Sequence, residues 1–355
     1  EIGSGLVGSE MCIRDRYKKM SFKAKRLLKK IISWSGLFFF ALAAYMLYRQ
    51  LSKYHLDDIK DALLSIPKQN LIYACAASFF GYVALSSYDY LALKYIGRKL
   101  AAWKWIFVGF IGFSVSNNAG HAVVSGGAIR YRLYTRWRFH GEDIVKMVTF
   151  SGFTYLVACF FLVIMGYVLT PDHAFGEGSV SKMTTTITML CSVVGLGVYF
   201  WASLYYKKPI VIKDIAFEIP SFKMALAQVF IGGADILMAS LVLYFSLIPF
   251  VEIPFDVFIG VFLIAQVLGV FSQVPGGLGV FEGLFMFIIP GEHNQAMLFG
   301  ALIAYRIIYY LLPLVFSGII LIIYEVTLRH AKNLRMKLSK KLKNCLLYTS
   351  PSPRD

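Results

Sequence analysis

Charge is scarce in this chain. Asp, Glu, Lys and Arg make up 16% of the 355 residues, while 58% are hydrophobic. Soluble domains carry about 25% charged and roughly 45–50% apolar residues. With a mean hydropathy of +0.64, the polar side chains are too few to cover a water-facing surface, which excludes a large soluble helical protein. Chemistry-bearing residues are thin as well. There are five cysteines. Three of them, Cys75, Cys159 and Cys191, lie inside apolar runs with neither metal-ligand nor disulfide spacing. They read as small buried apolar groups. His121 stands alone beside Asn117 and Asn118, with no second histidine at ligand spacing. No serine or cysteine nucleophile arrangement is visible. The sequence therefore leads to no catalytic residue, no cofactor and no metal.

Acids are the scarcer charge, with 20 Asp and Glu against 36 Lys and Arg and a net charge of +16. A balance so basic is one mark of nucleic-acid binding. Its placement argues otherwise, because the basic residues flank apolar runs, as cytoplasmic loops of membrane proteins do. There they face anionic lipid. The two ends stand apart: residues 1–16 and 345–355 resemble translated sequencing-adapter read-through. The natural chain is expected to start near Met20 and to run past Asn344, with residues 17–344 forming one integral membrane domain.

What is present is a series of apolar runs close to the roughly 20 residues that cross a bilayer. The first, 31–48, follows the basic stretch 23–30, which places the N-terminus inside. Residues 51–68 have apolar positions at helical spacing and read as a short interfacial helix outside. A second span, 71–93, ends among Lys94, Arg98, Lys99 and Lys104. Residues 105–127 are apolar but carry five glycines, Asn117 and Asn118, and the next segment, 130–138, is basic again. Two consecutive inside loops require the segment between them to enter and return, as a hairpin of broken helices. Such backbone is tolerated only inside protein or beside a wet cavity. Spans follow at 147–169, 184–205 and 224–247, then 257–289 interrupted at 273–277, then 298–326 and a basic inside tail.

The expected fold is an all-α polytopic membrane protein of about eight membrane segments, two of them broken or re-entrant hairpins, with both termini cytoplasmic. Span, span, hairpin, span occurs twice, over 31–169 and 184–326, starting from opposite sides. That is the signature of an inverted repeat, whose binding site lies near the midplane where the interrupted segments meet.

Ionised side chains within spans are costly and mark sites. They are few: Asp89, Asp235, Glu282 and Arg306, with Arg130 and Arg132 ending the first hairpin. The functional reading is a polar cavity in which arginines grip a phosphate through their planar fork and acids meet a cationic group. The structural alternative is ion pairing that holds spans together, such as Arg306 with Glu282 or Asp235. Asp89 and Arg132 read as near an interface and able to reach water. Asn118 and Tyr305 complete the candidate set, Tyr305 in a stripe with Tyr309 and Tyr310. Ser125-Gly126-Gly127 and Pro275-Gly276-Gly277-Leu278-Gly279 lack the lysine, hydroxyl and preceding strand of a phosphate loop. They read as helix breaks or close packing.

Six segments, in order, resemble the lysylphosphatidylglycerol synthetase transmembrane family: 88–97 (YDYLALKYIG), 116–120 (SNNAG), 125–134 (SGGAIRYRLY), 220–228 (PSFKMALAQ), 274–282 (VPGGLGVFE) and 304–314 (AYRIIYYLLPL). The family includes the flippase half of the multiple peptide resistance factor and a stand-alone inner-membrane group. The resemblance implies translocation of an anionic or aminoacylated phospholipid across a bacterial inner membrane, with Asp89, Arg130, Arg132, Asp235, Glu282 and Arg306 as its polar positions. Bifunctional members add a cytosolic lysyl-transfer domain with no counterpart here. The expectation is a stand-alone member. A bifunctional lysyltransferase cut short of its catalytic domain and a non-transporting lipid-binding scaffold are the alternatives. The implied partners are phospholipid head groups, with a second copy of the chain or a separate aminoacyl-lipid synthase also open, and no nucleic acid.

Overall fold

The computed structural model describes residues 61–348, apart from 62, 120–121, 170–181, 213–214, 273 and 290–293. The expected first span at 31–48 and most of the segment 51–68 lie outside the described residues. So do His121 and most of the segment between the expected spans 147–169 and 184–205.

Helix α1 (Lys68–Tyr95) starts behind Pro67, whose missing N–H costs nothing at a helix entrance. A broken pair follows, α2 (Ala102–Ala119) and α3 (Ala122–Tyr134). Helix α4 (Gly141–Leu169) and α5 (Lys182–Tyr205) come next. Helix α6 (Phe222–Leu247) begins at Ser221, behind Pro220. Helix α7 (Phe255–Phe271) starts at Pro254, and a 3-10 turn (Pro275–Gly277) separates it from α8 (Val280–Ile288). Helix α9 (Gln295–Arg306) is capped by Asn294, which accepts from the backbone N–H groups of Ala296 and Met297. A π turn (Ile307–Leu311) joins it to α10 (Leu312–Tyr348). Between α5 and α6, β1 (Ile210–Ile212) and β2 (Ile215–Phe217) pair antiparallel, Ile210 opposite Phe217. The segment between the expected spans 184–205 and 224–247 thus holds a small hairpin, from apolar runs too short to stand out in the sequence.

Among the described residues, five helices are long and apolar enough to cross a membrane: α1, Gly141–Val168 of α4, Thr186–Tyr205 of α5, α6, and the continuous stretch Gln295–His330. Helix α8, with nine residues, reaches only about 14 Å at 1.5 Å per residue. It and α7 make a pair that turns back on itself, as expected for a broken hairpin.

Helix α1 runs antiparallel to α6. Asn70 near its start donates to the Phe245 carbonyl near the end of α6 (3.0 Å), and Tyr95 at its end donates to the Glu218 carbonyl ahead of α6 (2.7 Å). Both helices are buried at small and apolar positions, including Ala74, Ala77 and Leu85 against Ile236, Ala239 and Leu243. Helices α7, α8 and α9 pack on this centre through Phe258, Phe262, Phe281, Phe285 and Leu302. A second cluster, built on Leu133, Tyr134, Met147 and Phe150, holds α2 and α3 against α4. Helix α5 lies at the periphery with Leu190, Val194, Val198 and Trp201 exposed, as does α10 with Phe316, Ile319, Ile322 and Ile323. Continuous apolar faces of this kind are rare in water and are ordinary against lipid tails.

One glycine sets the closeness of the hairpin. A Cβ on Gly109 of α2 would stand 2.8 Å from the Ser86 Cα of α1 and 3.0 Å from an Asp89 carboxylate oxygen. Helix α2 therefore lies directly over the end of α1, a contact that only a residue without a side chain permits.

Candidate membrane-embedded polar site

Four ionised residues from the candidate set form two buried pairs. Arg130 on α3 meets Asp89 on α1 in a parallel fork, Nε to Oδ1 and Nη2 to Oδ2, both 2.9 Å. The guanidinium also lies over the Phe113 ring, 4.4 Å from its centroid. Asp89 is fully buried. That corrects the expectation of a carboxylate near the interface: α2 and α3 fold back over the end of α1 and remove it from solvent. The second pair is Arg306 of α9 with Glu282 of α8, Nε to Oε1 at 2.5 Å. The other oxygen of Glu282 accepts from the backbone N–H of Gly279 at 2.8 Å. Glu282 thus caps the first turn of α8, where a negative charge is favoured by the helix dipole, and neutralises Arg306 with the same group. Removing one partner of such a pair costs about 3–5 kcal/mol, because the other charge stays buried alone.

Arg306 also holds the interruption of the second hairpin. Its Nη1 donates to the Gly276 carbonyl, and its guanidinium lies 4.5 Å from the Tyr310 ring centroid. Its Nη2 is buried without a hydrogen-bond partner. Gly276 has φ +61°, a left-handed conformation that glycine adopts without steric penalty. A Cβ there would approach the Asn117 carbonyl to 3.3 Å and the Arg306 Nη1 to 3.5 Å. The interruption between α7 and α8 therefore meets the end of α2. Asn118 extends this junction by donating to the Ser114 carbonyl (2.8 Å) and to the Tyr310 carbonyl of the π turn (3.1 Å).

Beside the junction lies a cavity of about 300 Å³. Tyr88, Asn117, Arg130, Asp235, Gln266 and Tyr310 are among its lining residues. Asp235, on α6, accepts from the hydroxyls of Tyr88 (3.0 Å) and Tyr309 (3.1 Å). Among the described residues no basic side chain pairs with it. Asp235 and Arg130 thus share one cavity, and Arg306 touches it through Tyr310.

Arg132 and Tyr305 lie elsewhere. Arg132, 57% exposed, pairs with Glu325 of α10 at 3.0 Å, and Arg136 joins the same carboxylate. Tyr305 is fully buried, stacked on Tyr309 with its ring 10° from parallel. Among the described residues, no group of three His, Cys, Asp or Glu is placed to hold a metal.

Over residues 33–317 the sequence matches the family described as the lysylphosphatidylglycerol synthase TM region. The chain belongs to this family. Its members here include the protein slr0712 of Synechocystis, 31% identical over 85% of this chain and 94% of that protein. The inner membrane protein YbhN of Escherichia coli is 30% identical over 88% of this chain and 96% of its own length. A phosphatidylglycerol lysyltransferase of Staphylococcus xylosus is 26% identical over 79% of this chain, but that match spans only 32% of the enzyme. Family membership and the apolar helices together identify a multi-pass membrane protein.

Three polar features of this family member escaped the sequence reading. Gln228 of α6, fully buried, accepts from the Tyr199 hydroxyl of α5 and donates to Thr154 Oγ1 of α4 at 2.6 Å. A glutamine in the middle of an apolar helix was the available signal. Tyr309 was visible only as part of an aromatic stripe. The π turn had no signal at all. Its carbonyls at Ile308, Tyr309 and Tyr310 are taken up by Ser78, Tyr82 and Asn118, each at 3.1 Å. A π turn breaks the regular backbone ladder, and here side chains of α1 and α2 supply the missing donors.

Proposed function

We propose that the protein moves phospholipids between the leaflets of a bacterial inner membrane, binding an anionic or aminoacylated head group in the cavity beside Asp235 and Arg130. The meeting of the two interrupted hairpins next to that cavity carries this reading. Its volume, about 300 Å³, lies at the lower end of the range for small-molecule sites and suits a head group with its tails left outside. The antiparallel packing of α1 against α6, each followed by a broken pair or preceding one, supports two inverted halves that alternate access. Under this reading both termini face the cytoplasm. The similarity to phosphatidylglycerol lysyltransferases makes lysylated phosphatidylglycerol, with its parent lipid, the first substrate to test.

The arginines serve this function differently from a simple phosphate clamp. Arg130 and Arg306 are already held by carboxylates, so a phosphate must displace Glu282 or use the unpartnered Nη2 of Arg306. Exchange of this kind releases a charge from one partner as it binds another, and links head-group entry to a loosening of the hairpin junction.

The test uses purified protein in vesicles of phosphatidylethanolamine and phosphatidylglycerol with a fluorescent phosphatidylglycerol, read by a reductant that bleaches only the outer leaflet. Wild type should expose the inner-leaflet probe, while Arg306→Ala and Asp235→Ala should insert and not do so. Normal movement in both variants rejects the site. A second reading, a lipid-binding scaffold that transports nothing, is favoured by the pairing of both Arg130 and Arg306 with carboxylates. It predicts co-purified lipid without movement in any vesicle composition.

A further inference from the structure

We propose that Asp235 is a proton-binding site whose state is passed to the π turn of the last span through Tyr309. The inference rests on the cavity geometry and does not require that lipid be the cargo.

Asp235 differs from the other acids of the interior. Asp89 and Glu282 each face an arginine. Asp235 is equally buried, at 4% exposure, yet only neutral donors reach it. The titratable groups facing it are Tyr82 and Tyr88 from α1, Tyr155 and Cys159 from α4, and Tyr309 from the π turn. Helix α7 offers Gln266 to the same cavity. The cations of the neighbouring elements, Arg130 and Arg306, are committed to Asp89 and Glu282. An ionised carboxylate in such surroundings lacks compensation of its charge. Either a cation enters the cavity beside it or a proton binds. The carboxylate has two tyrosine hydroxyls at hydrogen-bond distance and an open cavity from which a proton can arrive through water.

The chemistry is a reversible protonation. Ionised Asp235 accepts from both tyrosines. When a proton adds to one oxygen, the carboxyl loses its charge and that oxygen becomes a donor and a weaker acceptor, so the tyrosine bonds to the group weaken or reverse. Tyr88 sits within the regular helix α1. Tyr309 sits in the π turn, whose carbonyls are held by three side chains from α1 and α2. The π turn also lies directly after Arg306, which grips the interruption between α7 and α8. Loading Asp235 therefore alters one tether of an irregular segment that is held by the first hairpin through Asn118 and adjoins Arg306, which grips the second. A local charge event linked to an element with alternative packings is the general form of a conformational switch.

The test is infrared difference spectroscopy of the purified protein in phosphatidylethanolamine–phosphatidylglycerol vesicles, titrated with pH in sodium-free buffer. Wild type should show a carboxylic-acid C=O band that appears and disappears with pH. The band should be absent in Asp235→Asn and shifted in frequency in Tyr309→Phe, which removes a hydrogen bond to the same group. A titration unchanged in Asp235→Asn overturns the proposal, as does the lack of any such band. If Asp235→Asn fails to fold, an unshifted band in Tyr309→Phe overturns it. Loss of the band on adding sodium at constant pH overturns it in favour of a metal cation. None of these readouts depends on lipid movement, so failure of the flippase reading leaves a separate signature.

Discussion

The Arg306–Glu282 pair lends itself to a double-mutant cycle with a sharp outcome. Arg306→Met keeps most of the side-chain volume but leaves the buried Glu282 carboxylate without its cation. The Gly276 carbonyl also loses its donor and the Tyr310 ring its cation. Breaking a buried pair costs about 3–5 kcal/mol, and at 1.4 kcal/mol per factor of ten that is roughly a hundred-fold to several thousand-fold in the unfolding equilibrium. Glu282→Leu strands the guanidinium in the same way and also uncaps α8, since the Gly279 N–H loses its acceptor. Uncapping adds about 1 kcal/mol. The double variant leaves no unpaired charge. It should therefore be more stable than the sum of the single losses predicts, with a coupling of about 2–3 kcal/mol. Unfolding in a mild detergent, followed by a thiol-reactive dye on the buried Cys159, measures all four proteins. Single losses under about 1 kcal/mol that simply add would refute the reasoning, since they would mean the pair is water-exposed or not formed.

Other perturbations separate structural from site effects. Gly109→Leu, placed where even a Cβ meets the α1 backbone at 2.8 Å, should destabilise the protein by about 1–3 kcal/mol or more through overpacking, visible as a lowered unfolding temperature. Asn118→Leu strands the Tyr310 carbonyl. It should cost about 1–3 kcal/mol and speed amide exchange locally at residues 310–314, whereas a global change in exchange would speak against a local role. Arg132→Ala, half-exposed and sharing Glu325 with Arg136, should leave stability and lipid movement within experimental scatter, as exposed pairs contribute little. A large loss of movement there would return Arg132 to the site.

Much of this arrangement was legible in the sequence, and the reasons are specific. The apolar runs of α1, α4, α5 and α6 exceed what any soluble core of this size can hide, so their existence follows from composition. The two hairpins were legible because glycine, proline and asparagine interrupt apolar runs, the first of them between two basic segments. The pairing of Arg306 with Glu282 was one of two partners open to it, and distance decided between them. Asp89 was misplaced because hydropathy shows a residue near the end of a span, but cannot show α2 folding over that end through Gly109. Arg132 follows Arg130 by only two residues, about 200° around a helix, so the two point to different surroundings although the sequence gives them equal standing. The π turn was invisible because it arises from tertiary partners: Ser78, Tyr82 and Asn118 stabilise carbonyls that a local propensity would have left in a regular helix.

That turn has a geometric consequence for the last span. One surplus residue rotates everything beyond it by about 100° relative to a regular α-helix. Arg306 and Tyr305 before it, and Phe316 and Ile320 after it, are thus set on faces that an uninterrupted helix would have mismatched. The inward-pointing half and the outward-pointing half are phased independently, by length instead of by composition. Shortening the segment 307–311 by a single residue would turn Glu325 of α10 away from Arg132 and Arg136.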